Sequence, residues 1–147
     1  MHFLTLMALP IIMATLAYPV PSFANAYGVL TARAVVKPAQ IEPSEKTQLT
    51  IQVYDGFNKP IPIANIKISI KTGYFEASNQ NAVHGFTDKD GLFVAVWHSN
   101  LQTPNGMNEF EVTANKNGYI GKYPVTTTAR VKVGEEDKMG ESELRSR

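Results

Sequence analysis

Through the middle of the chain, apolar and polar positions alternate with a period of two. In residues 47–54, Leu49, Ile51 and Val53 fall on one side, and Gln48, Thr50 and Gln52 on the other. That period is the signature of an extended strand with one face turned to a core. It recurs in residues 29–36, a predicted edge strand ending at Pro38, and in 66–70, where Ile66, Ile68 and Ile70 alternate with Lys67 and Ser69. It recurs again in Phe110, Val112 and Ala114, and in 124–133, where Val125, Thr127, Ala129, Val131 and Val133 share a side. Residues 92–99 are apolar on both sides, which predicts a central strand covered on both faces. Residues 76–84 are polar and predict at most a short strand.

Turn chemistry separates these runs. Pro43 lies in 40–46, Pro60 and Pro62 in 55–65, Asp88, Asp90 and Gly91 in 87–91, and Asn117-Gly118 follows the run at Phe110. Proline cannot donate to a ladder, and Asp, Asn and Gly accept turn geometry. No stretch after residue 26 has a helical apolar period, and strands do not alternate with helices. The expected fold is all-β: an immunoglobulin-like antiparallel Greek-key sandwich of about seven strands. Its expected core is Leu49, Ile51, Val53, Ile68, Trp97, Phe110 and Val112.

The N-terminus has a different pattern. Residues 3–20 are almost continuously apolar, with no Lys or Arg before Arg33. Pro19 and Pro21 follow, then Ala24 and Ala26 in the small-x-small arrangement of a signal-peptide cleavage site. The reading is a signal helix over 1–26, a sandwich over 27–133 and a polar, disordered tail over 134–147. The apolar run is also long enough to span a bilayer, so an uncleaved anchor is the competing expectation. Both put the domain outside the cytoplasm, in the periplasm, at the cell surface or secreted. N-terminal sequencing separates them: Tyr27 as the new terminus means cleavage, and an intact Met1 in the membrane fraction means anchoring.

With the strands placed, a family likeness emerges. Val36-Lys37-Pro38, residues 41–47, Leu49-Thr50-Ile51 and Val53-Tyr54-Asp55 resemble the opening of bacterial Ig-like repeats of the invasin/intimin type. Those repeats continue with a D-x-x-N-x-P-V-P loop, which here reads Asp55-Gly56-Phe57-Asn58-Lys59-Pro60-Ile61-Pro62. The likeness extends through Gly73-Tyr74-Phe75, residues 87–91 and Val112-Thr113-Ala114. Residues 110–119 also resemble the end of carboxypeptidase-regulatory and transthyretin-like modules, the runner-up. The first resemblance implies an extracytoplasmic adhesion- or assembly-like role and brings no catalytic residues. Tandem repeats, an outer-membrane barrel and a receptor-binding domain, which accompany that family, have no counterpart in this sequence.

Composition narrows the chemistry. Fourteen Lys and Arg oppose 13 Asp and Glu, for a net charge of +1, and the bases form no stripe, so no nucleic-acid partner is expected. Cysteine is absent, which excludes disulfides, thiolate zinc ligands and a thiol nucleophile. Asp88 and Asp90 match only the start of a calcium loop and read as a hairpin turn. His84 and His98 lack metal-ligand spacing. No Ser or Thr has a nucleophile-elbow setting, and Glu109 and Glu111 lie two apart on one predicted strand, a solvated face. Tyr54, Phe57, Tyr74, Tyr119 and Tyr123 lie in or near loops and are candidates for an exposed aromatic patch. The expected function is a non-enzymatic interaction domain, without catalytic residue, metal or cofactor, whose partner is another protein or a surface glycan. Membrane contact is expected only through an uncleaved N-terminus. The alternatives are an accessory subunit of a membrane-associated complex, or a carbohydrate- or metal-binding module.

Overall fold

The computed structural model describes residues 28–119 and 125–135. The expected signal segment, with Ala24 and Ala26 at its expected cleavage site, and the tail beyond Glu135 lie outside the described residues, as does Tyr123.

Among the described residues there are nine strands and no helix. They are β1 (Leu30–Lys37), β2 (Gln40–Ile41), β3 (Lys46–Asp55), β4 (Asn65–Ser69), β5 (Tyr74–Phe75), β6 (Ala82–Phe86), β7 (Leu92–His98), β8 (Gly106–Asn115) and β9 (Val125–Val133). One sheet has the order β1-β3-β7-β5 and the other β2-β9-β8-β4-β6. Two packed sheets with this strand exchange make an immunoglobulin-like β-sandwich. All pairs are antiparallel except β2 with β9, which run parallel. The chain passes from one sheet to the other at Pro38-Ala39, and the Lys132 N–H then donates to the Ala39 carbonyl (2.8 Å).

The inward residues of both sheets form one core. Leu49, Ile51, Val53, Ile68, Trp97, Phe110 and Val112 are all fully buried. Trp97 from β7 meets Phe110 from β8 edge-on, with centroids 5.3 Å apart, and Phe75 packs on Phe110 at 6.1 Å. Such tilted arrangements suit the ring quadrupoles. The Trp97 indole N–H donates to the Thr72 carbonyl (3.1 Å), which ties the segment before β5 to the core. Gly73 continues that segment at φ +77°, and a Cβ there would lie 2.4 Å from the His98 carbonyl and 2.5 Å from the Trp97 ring. Only glycine combines that backbone angle with so close an approach.

Loop residues 55–65 are knotted around two buried polar side chains. Asp55 accepts from the N–H groups of Phe57 (2.8 Å) and Lys59 (3.0 Å) through one carboxylate oxygen. Thr87 Oγ1 accepts from the Ala64 N–H (2.8 Å) and donates to the Ile61 carbonyl (2.7 Å). Asp88 closes the hairpin before β7 by accepting from Asp90 N–H (2.8 Å) and Leu92 N–H (3.0 Å), the turn chemistry expected of it.

One strand differs from its sequence reading. The inward face of β7 is covered at Ala95 and Trp97, but its outer face is not, and Val94 is 50% exposed. Nothing among the described residues packs as a third layer over this sheet. The apolar outer face reflects the β-branched preference of a pleated strand rather than burial.

Candidate interaction surface

The short strand β5 leaves the edge of β7 half open. Val53 N–H donates to Gly91 O (2.9 Å) and Ser99 N–H to Glu45 O (3.0 Å), so odd-numbered residues along β7 direct their backbone groups to β3. Because an antiparallel ladder alternates, the even-numbered residues face the other way. Glu76 N–H reaches the Val96 carbonyl (3.0 Å), and there the pairing with β5 stops. Phe75, opposite Trp97, points its backbone groups away from β7, donating its N–H to Gln80 O (2.8 Å) and accepting from Asn79 N–H (2.8 Å), which folds the chain back after Glu76. The chain crosses to β6 in the opposite sheet, so the N–H and C=O of Val94 have no strand beside them.

An open groove of about 400 Å³ runs along this edge, walled by Phe75, Ala77, Val83, Phe93 and Ala95, with Val94 on its rim. Phe93 can lie against β6 because Gly85 has no side chain; a Cβ there would meet the ring at 2.3 Å. Unpaired backbone beside apolar depressions is the arrangement into which an extended segment adds as a further strand.

At the closed end of the same edge, Tyr74 stacks on His98, with centroids 4.8 Å apart and planes 5° from parallel. The His98 Nε2 lies 2.7 Å from Glu76 Oε1, and Lys46 Nζ lies 3.7 Å from the same oxygen. Glu76 is held below the ordinary glutamate range, chiefly by the His98 hydrogen bond; desolvation opposes this, and the Lys46 charge adds to it. A carboxyl depressed on folding stabilises the fold above its unfolded value, and that stabilisation is lost as pH falls through the depressed value. The melting gap between wild type and Glu76→Gln is therefore expected to be level above about pH 5 and to close as pH drops below about 4.3. A gap that stays unchanged down to pH 2.5 would mean that the Glu76 charge contributes nothing.

Among the described residues the candidate aromatic patch does not come together as one surface. Tyr54 and Phe57 lie where β3 ends, whereas Tyr74 pairs with His98 opposite Lys46, where β3 begins. Those ends are separated by about 26 Å at ~3.3 Å per residue. Tyr119 packs against the core. His84 and His98 sit on different sheets, His84 hydrogen-bonded to Asn65 and His98 to Glu76. Among the described residues no group of three or more His, Asp or Glu side chains is placed to hold a metal ion. Glu109 and Glu111 are exposed, and Glu109 pairs with Arg130 (3.0 Å).

Sequence reasoning missed a second exposed apolar site. Ile63 (65% exposed, φ 57°) and Phe86 (57% exposed) flank a depression at the start of β4. Lys116 Nζ fixes the strained turn by donating to the carbonyls of Pro62 (3.0 Å) and Ile63 (3.2 Å). A β-branched residue at positive φ leaves no mark in a sequence.

No protein-family model matches the chain, and no curated protein sequence matches it. Solved structures to which it is similar include a CARDB domain from Pyrococcus furiosus in complex with di-metal ions (14% identity over 76% of this chain and 97% of that one, TM-score 0.44). A conjugative transposon lipoprotein from Bacteroides eggerthii is similar at 8% identity over 69% of this chain and 95% of that one, TM-score 0.47. A cohesin module from a Clostridium perfringens family 33 glycoside hydrolase is similar at 9% identity over 74% of this chain and 99% of that one, TM-score 0.48. At these identities and TM-scores the likenesses carry no inference about what this chain binds.

Proposed function

We propose that the chain is an exported, non-enzymatic interaction domain of the invasin-like Ig type, which docks an extended segment of another protein on the open edge of β7. The observation that carries this reading is the pair of unpaired backbone groups at Val94 beside an apolar groove. A strand laid there gains main-chain hydrogen bonds to Val94 and seats alternate side chains against Phe93 and Ala95, so the fitting partner is a segment with an apolar residue at every second position. Export rests on the apolar N-terminus and the Ala24-x-Ala26 junction, and an adhesion or assembly role on the family resemblance.

Site-specific photo-crosslinking in cells producing the full chain tests the docking. A crosslinker at Val94 is expected to capture one partner segment of alternating apolar pattern, and one at Thr128, exposed on the other sheet, is expected not to. Capture of the same segment at both positions, or of a segment without alternation, would overturn the reading.

A further inference from the structure

A second groove lies at one end of the sandwich, where three connections meet: residues 70–73, the turn between β5 and β6, and the loop between β7 and β8. Its first half, about 540 Å³, is lined by Tyr74, Asn79, Gln80, Asn81, Asn100 and Gln102. Its second half, about 730 Å³, runs past Met107 and the carboxylates of Glu109 and Glu111. The halves share Lys71, Thr72 and Asn81 as a common wall. Each is of the size of ordinary small-molecule sites, roughly 300–1,000 Å³.

The lining states the chemistry of its ligand. Among the described residues, the side-chain amides of Asn79, Gln80, Asn81 and Gln102 make no hydrogen bond, while Asn100 is engaged by its own loop. A free amide offers two N–H donors and a carbonyl acceptor, and an alcohol hydroxyl offers one O–H donor and an acceptor oxygen, so each can both donate to and accept from the other. The charges in the lining offset one another, Glu109 being paired with Arg130 and Lys71 standing against Glu111, which favours neither an anion nor a cation. Tyr74 in one half and Met107 in the other supply apolar surface for the C–H face of a ring. The shared wall is rigid, because the Thr72 carbonyl holds the Trp97 indole and Gly73 is wedged against the same ring.

We propose that this groove binds an uncharged oligosaccharide, with its hydroxyls on the carboxamides and its rings against Tyr74 and Met107. The site is separate from the open stretch of β7, so either proposal stands if the other fails. Isotope-edited NMR of the full chain, titrated with chitohexaose, cellohexaose, maltohexaose and mannohexaose, tests it, with trigalacturonic acid as the anionic control. At least one neutral hexasaccharide is expected to shift the amide signals of Asn81 and Gln102 saturably and to leave those of Thr126 and Thr128 unmoved. Asn81→Ala and Gln102→Ala, which alter exposed side chains, are each expected to weaken binding about three- to tenfold with an unchanged melting temperature. Three results would overturn the proposal: no saturable shift with any neutral hexasaccharide, binding indifferent to both variants, or tighter binding of the acidic control.

Discussion

Trp97→Ala is expected to leave the domain unfolded or to lower its melting temperature by roughly 15–30 °C. The ring is fully buried between the sheets, in contact with Phe110 and against Gly73. Removing so large a core aromatic costs roughly 3–5 kcal/mol through lost packing and the cavity left behind. In a domain of this size each kcal/mol moves the midpoint by about 4–8 °C. The loss has a polar part as well, since the Thr72 carbonyl gives up its indole partner. Trp97→Phe keeps most of the ring packing and drops the hydrogen bond, so it should cost markedly less. Circular dichroism melting of the three proteins reads both effects, and an alanine variant that melts within about 5 °C of wild type would contradict the packing described.

Thr87→Val should destabilise almost as strongly without making a cavity. The hydroxyl of Thr87 satisfies the Ala64 N–H and the Ile61 carbonyl, and valine offers neither with a partner. A buried polar group left unmade costs about 1–3 kcal/mol, and here there are two. Chemical denaturation should show a loss of roughly 2–5 kcal/mol for Thr87→Val and little for Thr87→Ser, which keeps the oxygen. Equal losses for serine and valine would assign the effect to the methyl group instead.

How much of this was legible depended on how many residues each feature spans. The run at Leu49, Ile51 and Val53 shows a full period, and β3 follows it, buried at every second residue from Thr47 to Asp55. Strands β2 and β5 have two residues each and can show no period at all, so the expected seven strands became nine. The strand β6 has a single buried residue, Val83, which is too little to announce a core face. In β7 the sequence predicts covered outer residues, because a continuous apolar run looks the same whether or not a second layer lies over it.

The candidate site was harder still. The aromatic residues near loops were visible, but whether two loops share an end of the sandwich depends on strand direction, which separates Tyr54 from Tyr74. The open edge at Val94 exists because the chain turns back after Glu76, with the Asn79 N–H on the Phe75 carbonyl, a backbone event that no residue type declares. Asp55 was legible as a turn residue, and its burial against the N–H groups of Phe57 and Lys59 was not.

Residue-resolved amide hydrogen exchange along β7 tests the open edge most directly, on the full chain alone and then with the captured segment as a synthetic peptide. In the free chain the Ala95 amide, bonded across to β3, should exchange slowly, and the Val94 amide beside it should exchange fast. On addition of the peptide, Val94 should become protected to the level of Ala95. A Val94 amide already protected in the free chain, or one that stays fast while another surface becomes protected, would contradict docking at this edge.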